Sequence, residues 1–319
     1  VLVAVAWPYV NGDIHIGHLA GYLFPADIYA RFHRLLGNEV LMISGSDCYG
    51  TPITLEADKR NVSPEEIVHE YHEKNRRLFL ETLKLSFDIY TKPTTENHWR
   101  IVQDFFVRLT EKGLIFKDMT NQYYSEIEKR FLPDRYVEGT CPKCGHGEAR
   151  SDQCDKCGLL LDQGELLSPR SKPNGVPVVL KPTEHYFLNW PKLEPMLKKY
   201  VASQKNWRSW VLHETEGWLE QGLRPRPITR DIDWGVPIPV GRLPENLKIE
   251  GVEHKRIYVW FEAVIGYLSA TIEWASQRGT VRNNTRTNAE SGQRNSASSQ
   301  RESALGWKEW WYGEDITHA

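Results

Sequence analysis

The sequence has no apolar run approaching the ~18 residues that a membrane-spanning helix needs, so a span of that kind is excluded. It has no basic surplus: 40 Lys and Arg stand against 42 Asp and Glu, a formal net charge of −2 with His neutral. A protein that grips nucleic acid by bulk charge is excluded, and any RNA contact must come from local patches. No internal repeat is visible, which excludes a repeat array. Cysteine is scarce, with five in 319 residues. Four of them fall in two C-x-x-C pairs, which in a long, non-secreted chain points to metal rather than disulfides and to the cytosol. The chain opens on Val1 without an initiator methionine, leaving room for residues upstream. Val1 to Ala6 is apolar but lacks a basic leader and soon meets Pro8, so it reads as a buried strand and not a signal peptide.

What is present suits a globular protein of two domains with a sizeable core, since 40% of the residues are hydrophobic. After the first strand, Pro8 to Gly17 is a turn-rich loop. A helical pattern then starts near His18 and turns Leu19, Leu23, Ile28, Phe32 and Leu35 inward, with a kink or late start at Pro25 and a C-cap at Gly37. Glu39 to Ser44 is strand-like. Ser63-Pro64-Glu65-Glu66 starts a helix that runs to about Lys84, with Pro in the first turn and acids at the positive dipole end. Another helix spans roughly Thr95 to Lys112 and ends at Gly113. This alternation predicts an α/β, doubly wound parallel sheet. From about 115 to 227 the chain is rich in Pro, Gly, Cys and short aromatic segments and reads as an insertion. A strand-like Ile228-Thr229-Arg230 follows, then Ile257 to Trp260 and an apolar helix to about Ala275. Residues 276–304 are almost free of apolar side chains and are expected to form a disordered surface insertion.

Four motifs carry chemistry. In the first, Ala6-Trp7-Pro8-Tyr9-Val10-Asn11-Gly12-Asp13-Ile14-His15-Ile16-Gly17-His18, a strand runs into a loop and His-Ile-Gly-His opens a helix. A helix start offers free N–H groups and a positive dipole end to a phosphate. Gly17 allows close backbone approach, and His15 and His18 add donors where negative charge grows in a transition state. The competing reading makes the two histidines capping or core residues. In the second, Ser44-Gly45-Ser46-Asp47-Cys48-Tyr49-Gly50-Thr51-Pro52, Asp47 sits at the carboxyl end of a strand, where ligands bind in such sheets. A carboxylate fixed there can hold a substrate ammonium group, or it can simply cap a turn.

The third motif pairs Cys141-Pro142-Lys143-Cys144 with Cys154-Asp155-Lys156-Cys157. Four thiolates from two short turns suit one closed, structural zinc site, and rubredoxin-like iron would use the same ligands. His146 lies nearby but is not expected to ligate. In the fourth, Trp260, Ala263, Val264 and Tyr267 lie three or four residues apart and can share a helix face. Such a stripe is more often core than pocket.

The first motif resembles the HIGH signature of class I aminoacyl-tRNA synthetases, whose two histidines bind the ATP phosphates during amino-acid activation; here they would be His15 and His18, with Gly17 between them. The other segments are similar to the methionyl-tRNA synthetases of that class. There the aspartate matching Asp47 grips the α-amino group, though Tyr49 stands where that family often has His. The segment Val259-Trp260-Phe261-Glu262-Ala263-Val264-Ile265-Gly266-Tyr267 resembles one that usually reads V-W-F-D-A-P-I-G-Y and lines the methionine side-chain pocket. By this resemblance Trp260, Ala263, Val264 and Tyr267 would form that pocket together with Tyr9 and Trp7. Glu262 replaces Asp, Val264 replaces Pro, and Trp7 stands where some members have Leu. An aromatic, apolar pocket fits a thioether. Phe131-Leu132-Pro133-Asp134-Arg135-Tyr136 and Glu184-His185-Tyr186-Phe187 resemble that family's connective insertion.

The resemblance covers nearly all of 1–275 and resumes over Trp307 to about Thr317. It implies a class I synthetase, Rossmann-like nucleotide-binding fold split by a zinc-bearing connective insertion. The halves would be 1–114 and the start of the second, 228–319, around the insertion at 115–227. It implies activation of L-methionine with ATP and Mg2+, then transfer to tRNA(Met). The family's Lys-rich KMSKS loop and anticodon-binding domain do not occur before Ala319, so the chain is expected to be inactive alone. Two rivals stand beside this reading. A class I synthetase for another apolar amino acid would carry a larger editing insertion, or zinc ligands at the active site for cysteine. A non-catalytic zinc-containing homologue would not need His15, His18 and Asp47 intact.

Overall fold

The computed structural model describes residues 1–159, 161 and 164–287; the side chains of Asp134 and of 279–287 are outside the description. In chain order, β1 (Leu2–Ala4) leads through a loop to α1 (Ile16–His18), a π-helical turn (Leu19–Leu23) and α2 (Phe24–Leu35). Next come β2 (Leu41–Gly45), α3 (Thr51–Arg60), α4 (Pro64–Arg76) and a second π-helical turn (Arg77–Thr82). β3 (Ile89–Thr91), α5 (Glu96–Glu111) and β4 (Ile115–Ser125) follow. Four short strands, β5 (Arg130–Phe131), β6 (Val137–Thr140), β7 (Ala149–Arg150) and β8 (Leu167–Ser171), precede β9 (Val179–Leu188). Two helices, α6 (Trp190–Ser203) and α7 (Ser209–Glu220), lead to β10 (Arg226–Pro227), β11 (Thr229–Asp231), β12 (Val236–Pro237), β13 (Lys255–Ile257) and α8 (Val259–Thr287). Among the described residues no helix is long and apolar enough to cross a membrane.

The chain divides into two compact units. The first contains residues 1–48, 65–101 and the chain from Ala263. Its heart is a parallel sheet in the order β1-β2-β3, with Val3 opposite Met42 and Ser44 opposite Tyr90. β2 lies in the middle and is buried along its whole length. Side chains of a strand alternate between faces, and both faces are covered here. Val3, Val5 and Met42 pack with Leu23, Ala30 and Phe79 on one side. Leu2, Leu41, Ile43 and Ile89 pack with Ala270 of α8 on the other, with Trp7, Tyr267 and Trp274 against them. Covering both faces is what a parallel sheet requires. α8 is fastened by buried polar contacts: His98 Nδ1 lies 2.8 Å from Ser269 Oγ, and Thr91 Oγ1 donates to Glu273 at 2.8 Å.

The second unit contains residues 49–64 and 102–262. The long antiparallel pair β4 and β9 runs from Ile115 opposite Leu188 to Tyr124 opposite Val179, with β10 and β5 at its edges. A small sheet, β7-β6-β8, carries the cysteine turns, and β11-β13-β12 forms a third sheet. Buried between strands of this unit, Asp231 pairs with Lys255 and lies 2.8 Å from His185 Nε2. Two opposite charges taken out of water must be paired and hydrogen-bonded in this way.

Two expectations are corrected. Ile28, Phe32 and Leu35 do not face inward; they are 67%, 53% and 87% exposed, while Leu23, Asp27 and Ala30 are buried. The cause is the π-helical turn at Leu19–Leu23. Its i→i+5 bonding takes in one extra residue, which rotates the following helix by about 100° from uninterrupted α-periodicity. Pro25 sits at the start of α2, where its missing N–H costs little. The second correction concerns 276–304. Residues 276–287 continue α8 as helix, because a helix nucleated on apolar packing propagates cheaply into polar sequence. Residues 288–304, and the resumed resemblance at Trp307 to Thr317, lie outside the described residues. Gly37 and Gly113 do end their helices in the left-handed region, with φ of 83° and 64°.

Gly45, the last residue of β2, makes the tightest approach in the first unit. A Cβ there would stand 2.7 Å from the Thr91 carbonyl oxygen and 2.9 Å from the Trp7 ring. The carbonyl belongs to the sheet and cannot yield. Gly45→Ala is therefore expected to cost about 1–3 kcal/mol, the usual range for overpacking. Urea unfolding followed by circular dichroism measures this, and a cost below about 0.5 kcal/mol, the level of a neutral surface change, would contradict the packing described.

Candidate active site

Beyond the end of β1, the chain keeps company with the segment beyond β2. The Asp47 N–H donates to the Pro8 carbonyl at 2.8 Å, and the Val10 N–H donates to the Asp47 carbonyl at 3.1 Å. Tyr9 and Asp47 thus form a parallel bridge past the ends of both strands. This is the carboxyl edge of the sheet, where open α/β folds bind ligands. Asp47 is 8% exposed. Trp7 lies edge-on to Tyr267, with ring centroids 5.8 Å apart. Cβ atoms added at Gly45 and Gly266 would both strike its ring, at 2.9 and 3.0 Å, so the indole is wedged between β2 and α8. The Trp7 backbone N–H faces the Tyr267 hydroxyl, which burial and the Asp47 charge both push up. Trp7, Tyr9, Asp47 and Tyr267 are therefore brought together within one unit.

The helix start has its own logic. His15 is the N-cap: its Nδ1 accepts from the Gly17 N–H at 3.1 Å, while His18 Nδ1 accepts from the His15 N–H at 3.3 Å. This reciprocal capping box is normally built from Ser or Thr with Glu. The two rings stand 3.9 Å apart, tilted by 45°. Burial, and then the neighbouring His15, hold the His18 imidazole below its ordinary value. A ring whose Nδ1 accepts carries its proton on Nε2, which remains a donor. A Cβ at Gly17 would meet the His15 ring at 2.9 Å, so only glycine leaves room for this cap. The two histidines thus cap this helix start through their Nδ1 atoms, and the cap does not use their outer nitrogens.

Trp260, Ala263, Val264 and Tyr267 lie along the first turns of α8. Trp260 is 62% and Val264 60% exposed, Ala263 and Tyr267 are half-buried with Tyr267 against the core, and Glu262 and Ile265 on the opposite side are buried. Burial pushes the Glu262 carboxyl well up. Tyr49 is buried edge-on to Trp234, with centroids 5.2 Å apart. Sequence reasoning passed over Tyr22. The π-helical turn carries it to 6.1 Å from His18, ring to ring, and its buried hydroxyl is pushed up to about 12 by burial and Tyr267. The one signal, a helical phase that stops fitting after Leu23, becomes legible only once the burial is known.

The four cysteines form a second centre in the other unit. Their sulfurs lie within 4.8 Å of one another, with Cys141–Cys157 at 3.8 Å and Cys144–Cys154 at 3.6 Å. A tetrahedron of sulfurs about 2.3 Å from a central ion has edges of about 3.8 Å, so the set fits one metal ion. The two turns are built alike. Gly145 and Gly158 take left-handed φ values of 70° and 71°. Their N–H groups return to Cys141 and Cys154 carbonyls at 3.0 and 2.9 Å. Backbone N–H groups of Cys144 and Lys143 hold the Cys141 thiol down, while burial and the neighbouring sulfurs push Cys144 up. His146 gives backbone groups, its carbonyl to the Cys141 N–H and its N–H to the Cys144 sulfur, and its ring is not in the cluster among the described residues.

A parallel sheet with a histidine-capped helix at its carboxyl edge, interrupted by a segment bearing a four-cysteine cluster, is the class I synthetase form of the nucleotide-binding fold. The family model for tRNA synthetases class I (M) matches residues 1–318, and the chain belongs to that family. It is 50% identical over 281 residues to the methionine–tRNA ligase of Roseiflexus castenholzii, covering 88% of this chain and 46% of that one. It is 48% identical over 318 residues to that of Chloroflexus aggregans, covering 100% of this chain and 48% of the relative. The chain thus spans about half the length of the curated relatives it matches. A solved structure of Mycobacterium tuberculosis methionyl-tRNA synthetase in complex with methionyl-adenylate has the same fold, with a TM-score of 0.61 and 22% identity over 85% of this chain and 46% of that one.

The cysteine cluster should carry one metal ion per chain, as elemental analysis of purified protein would detect. Cys141→Ser combined with Cys157→Ser should abolish it, and unchanged metal content in that double variant would contradict the ligand assignment. Loss of the ion should unfold the surrounding sheet before it alters the histidine-capped helix, because a closed site couples to folding.

Proposed function

We propose that this chain forms the amino-acid-activating part of a methionine–tRNA ligase. The observation that carries the reading is the presence, in one compact unit, of a helix start flanked by His15 and His18 and a carboxylate, Asp47, clasped to the neighbouring loop through Tyr9. The helix start offers N–H donors, a positive dipole end and two Nε2–H groups to a triphosphate. Asp47 offers a charge-assisted acceptor to an ammonium group. Trp7, Tyr9, Ala263, Val264 and Tyr267 supply an apolar, aromatic lining for a thioether chain. Trp260, three residues before Ala263 on the same helix, joins them by the family resemblance.

In the reaction, a methionine carboxylate oxygen attacks the α-phosphorus of ATP. The bond from that phosphorus to the bridging oxygen breaks, and pyrophosphate leaves with the electron pair. The terminal ribose hydroxyl of tRNA(Met) then attacks the adenylate carbonyl, and AMP leaves. No enzyme nucleophile is needed. Asp47 orients the amino acid, and His15, Gly17 and His18 stabilise charge growing on the phosphates, so catalysis is positioning and electrostatics. Magnesium enters as part of the ATP substrate, held by phosphate oxygens. Zinc is the metal that four closed thiolates favour, in a structural role. On this reading the protein works in the cytoplasm, where charged tRNA is consumed. Residues 115–227 form the connective insertion between the two halves of the nucleotide-binding domain.

The test is ATP–pyrophosphate exchange by the complete polypeptide of which this chain is part. Exchange should depend on methionine and be far weaker with leucine or isoleucine, although each misplaced methylene is worth only about 1–3 kcal/mol. Equal activity with leucine would refute the methionine assignment and leave the family untouched. His15→Ala should slow activation by roughly 10²–10³, as for loss of one transition-state donor, with methionine affinity nearly unchanged.

A further inference from the structure

We propose that His72 is a positioning residue for Asp47, acting through the hydroxyl of Ser46; the inference rests on the ammonium-binding reading of Asp47 given above. Ser46 is the residue between the end of β2 and Asp47. Its Oγ lies 2.8 Å from His72 Nδ1 and 2.8 Å from Tyr90 Oη. Its N–H donates to the Thr91 carbonyl at 2.9 Å, and its own carbonyl accepts from the Cys48 thiol at 3.3 Å. Ser46 is 0% and His72 6% exposed. The imidazole lies nearly parallel to the Tyr90 ring, at 12° and 5.5 Å between centroids.

The hydrogens in this trio can run in one direction. Burial, helped by the Lys92 charge, pushes the His72 imidazole down to about 4, so it is neutral in the working range. Of the two neutral tautomers, the one protonated at Nε2 accepts at Nδ1. In that tautomer Ser46 donates to His72, which leaves its lone pairs to accept from the Tyr90 hydroxyl. The serine side chain is thereby held from both sides. The backbone on the other flank of Ser46 is held as firmly, since Asp47 exchanges hydrogen bonds with Pro8 and Val10. With both flanks fixed, the Asp47 carboxylate keeps only its own side-chain torsions.

Stability alone gives a weak reason for such a trio. A buried polar group gains about 1 kcal/mol net from its hydrogen bond, and apolar replacement of all partners is often neutral. Here three polar side chains, Ser46 just after β2, His72 of α4 and Tyr90 of β3, converge one residue before the proposed substrate ligand. Their shared effect is on the direction of that ligand. His72 makes none of these contacts to substrate itself, so its effect should appear in substrate affinity and not in the chemical step.

Steady-state ATP–pyrophosphate exchange by the complete polypeptide tests this. His72→Ala should raise KM for methionine roughly tenfold, the scale of one misaligned hydrogen bond to a charged group. KM for ATP should stay within about twofold and kcat within about threefold, because uniform binding is what is lost. His72→Asn, whose amide oxygen can take the place of Nδ1, should recover most of the methionine affinity. Tyr90→Phe should shift KM in the same direction by less. A fall in kcat with methionine KM unchanged would overturn the proposal, since that is the signature of fewer folded molecules. So would a His72→Asn variant no better than His72→Ala. If His72→Ala fails to fold by circular dichroism, unchanged methionine KM in both other variants overturns it, and a raised KM in Tyr90→Phe supports it. Absence of methionine-dependent exchange in the unsubstituted enzyme would overturn the functional reading beneath it, and this inference with it.

Discussion

The site depends on one short stretch of backbone pairing: Asp47 donating to Pro8 and accepting from Val10, beyond the last ladder positions of β1 and β2. Parallel strands normally diverge into loops at their carboxyl ends. Here two further hydrogen bonds keep the loops together, and four features follow. Asp47 stops being a free turn residue. Tyr9 is carried alongside it. Trp7 is pressed between Gly45 and Gly266, which ties the loop to α8. The chain then leaves towards His15 from a fixed origin. The glycines are the necessary complement, because any side chain at either position would evict the indole.

The histidine-capped helix start shows how two side chains can close a helix end and still keep outward-facing donors. Helix N-termini leave N–H groups without intrahelical partners, and here imidazole nitrogens satisfy two of them. Using the inner nitrogens for capping sets the tautomer and leaves the outer ones as donors. On the proposed reading, the same pair of rings serves folding with one nitrogen and the triphosphate with the other. The exposed stripe of Trp260 and Val264 fits the same logic, since a helix that packs Ile265, Ser269 and Ala270 inward can leave an apolar edge for a ligand. The cysteine cluster belongs to the second unit. Paired turns with left-handed glycines converge four sulfurs, and Cys141 and Cys154 pack into a core with Tyr123, Leu132, Tyr136 and Val137.

Much of this was legible in the sequence. The βαβ alternation, the C-caps at Gly37 and Gly113 and the cysteine cluster all follow from local chemistry: apolar period, glycine at positive φ, and paired C-x-x-C turns. The exceptions have physical causes. A π-helical turn has no compositional signature, so the inward face of α2 was misplaced and Tyr22 was overlooked. Composition reports whether a segment can bury itself, not whether it can extend a helix already formed, so 276–287 was misjudged. The Ser46–His72–Tyr90 trio joins residues 26 and 44 positions apart, with no motif to announce it. Such contacts exist only once the sheet has brought α4 and β3 beside the end of β2.

The central claim is that the backbone clasp at Asp47 presents a carboxylate to a substrate ammonium group. Isothermal titration calorimetry on the complete polypeptide, with Asp47→Asn beside the unsubstituted protein, tests it most directly. Two ligands are needed: methionine, and its analogue with hydrogen in place of the amino group. The account predicts that Asp47→Asn weakens methionine by at least about thirtyfold, the lower bound for breaking a buried charge pair, and leaves the deamino analogue unchanged. Equal weakening of both ligands, or of neither, would contradict it.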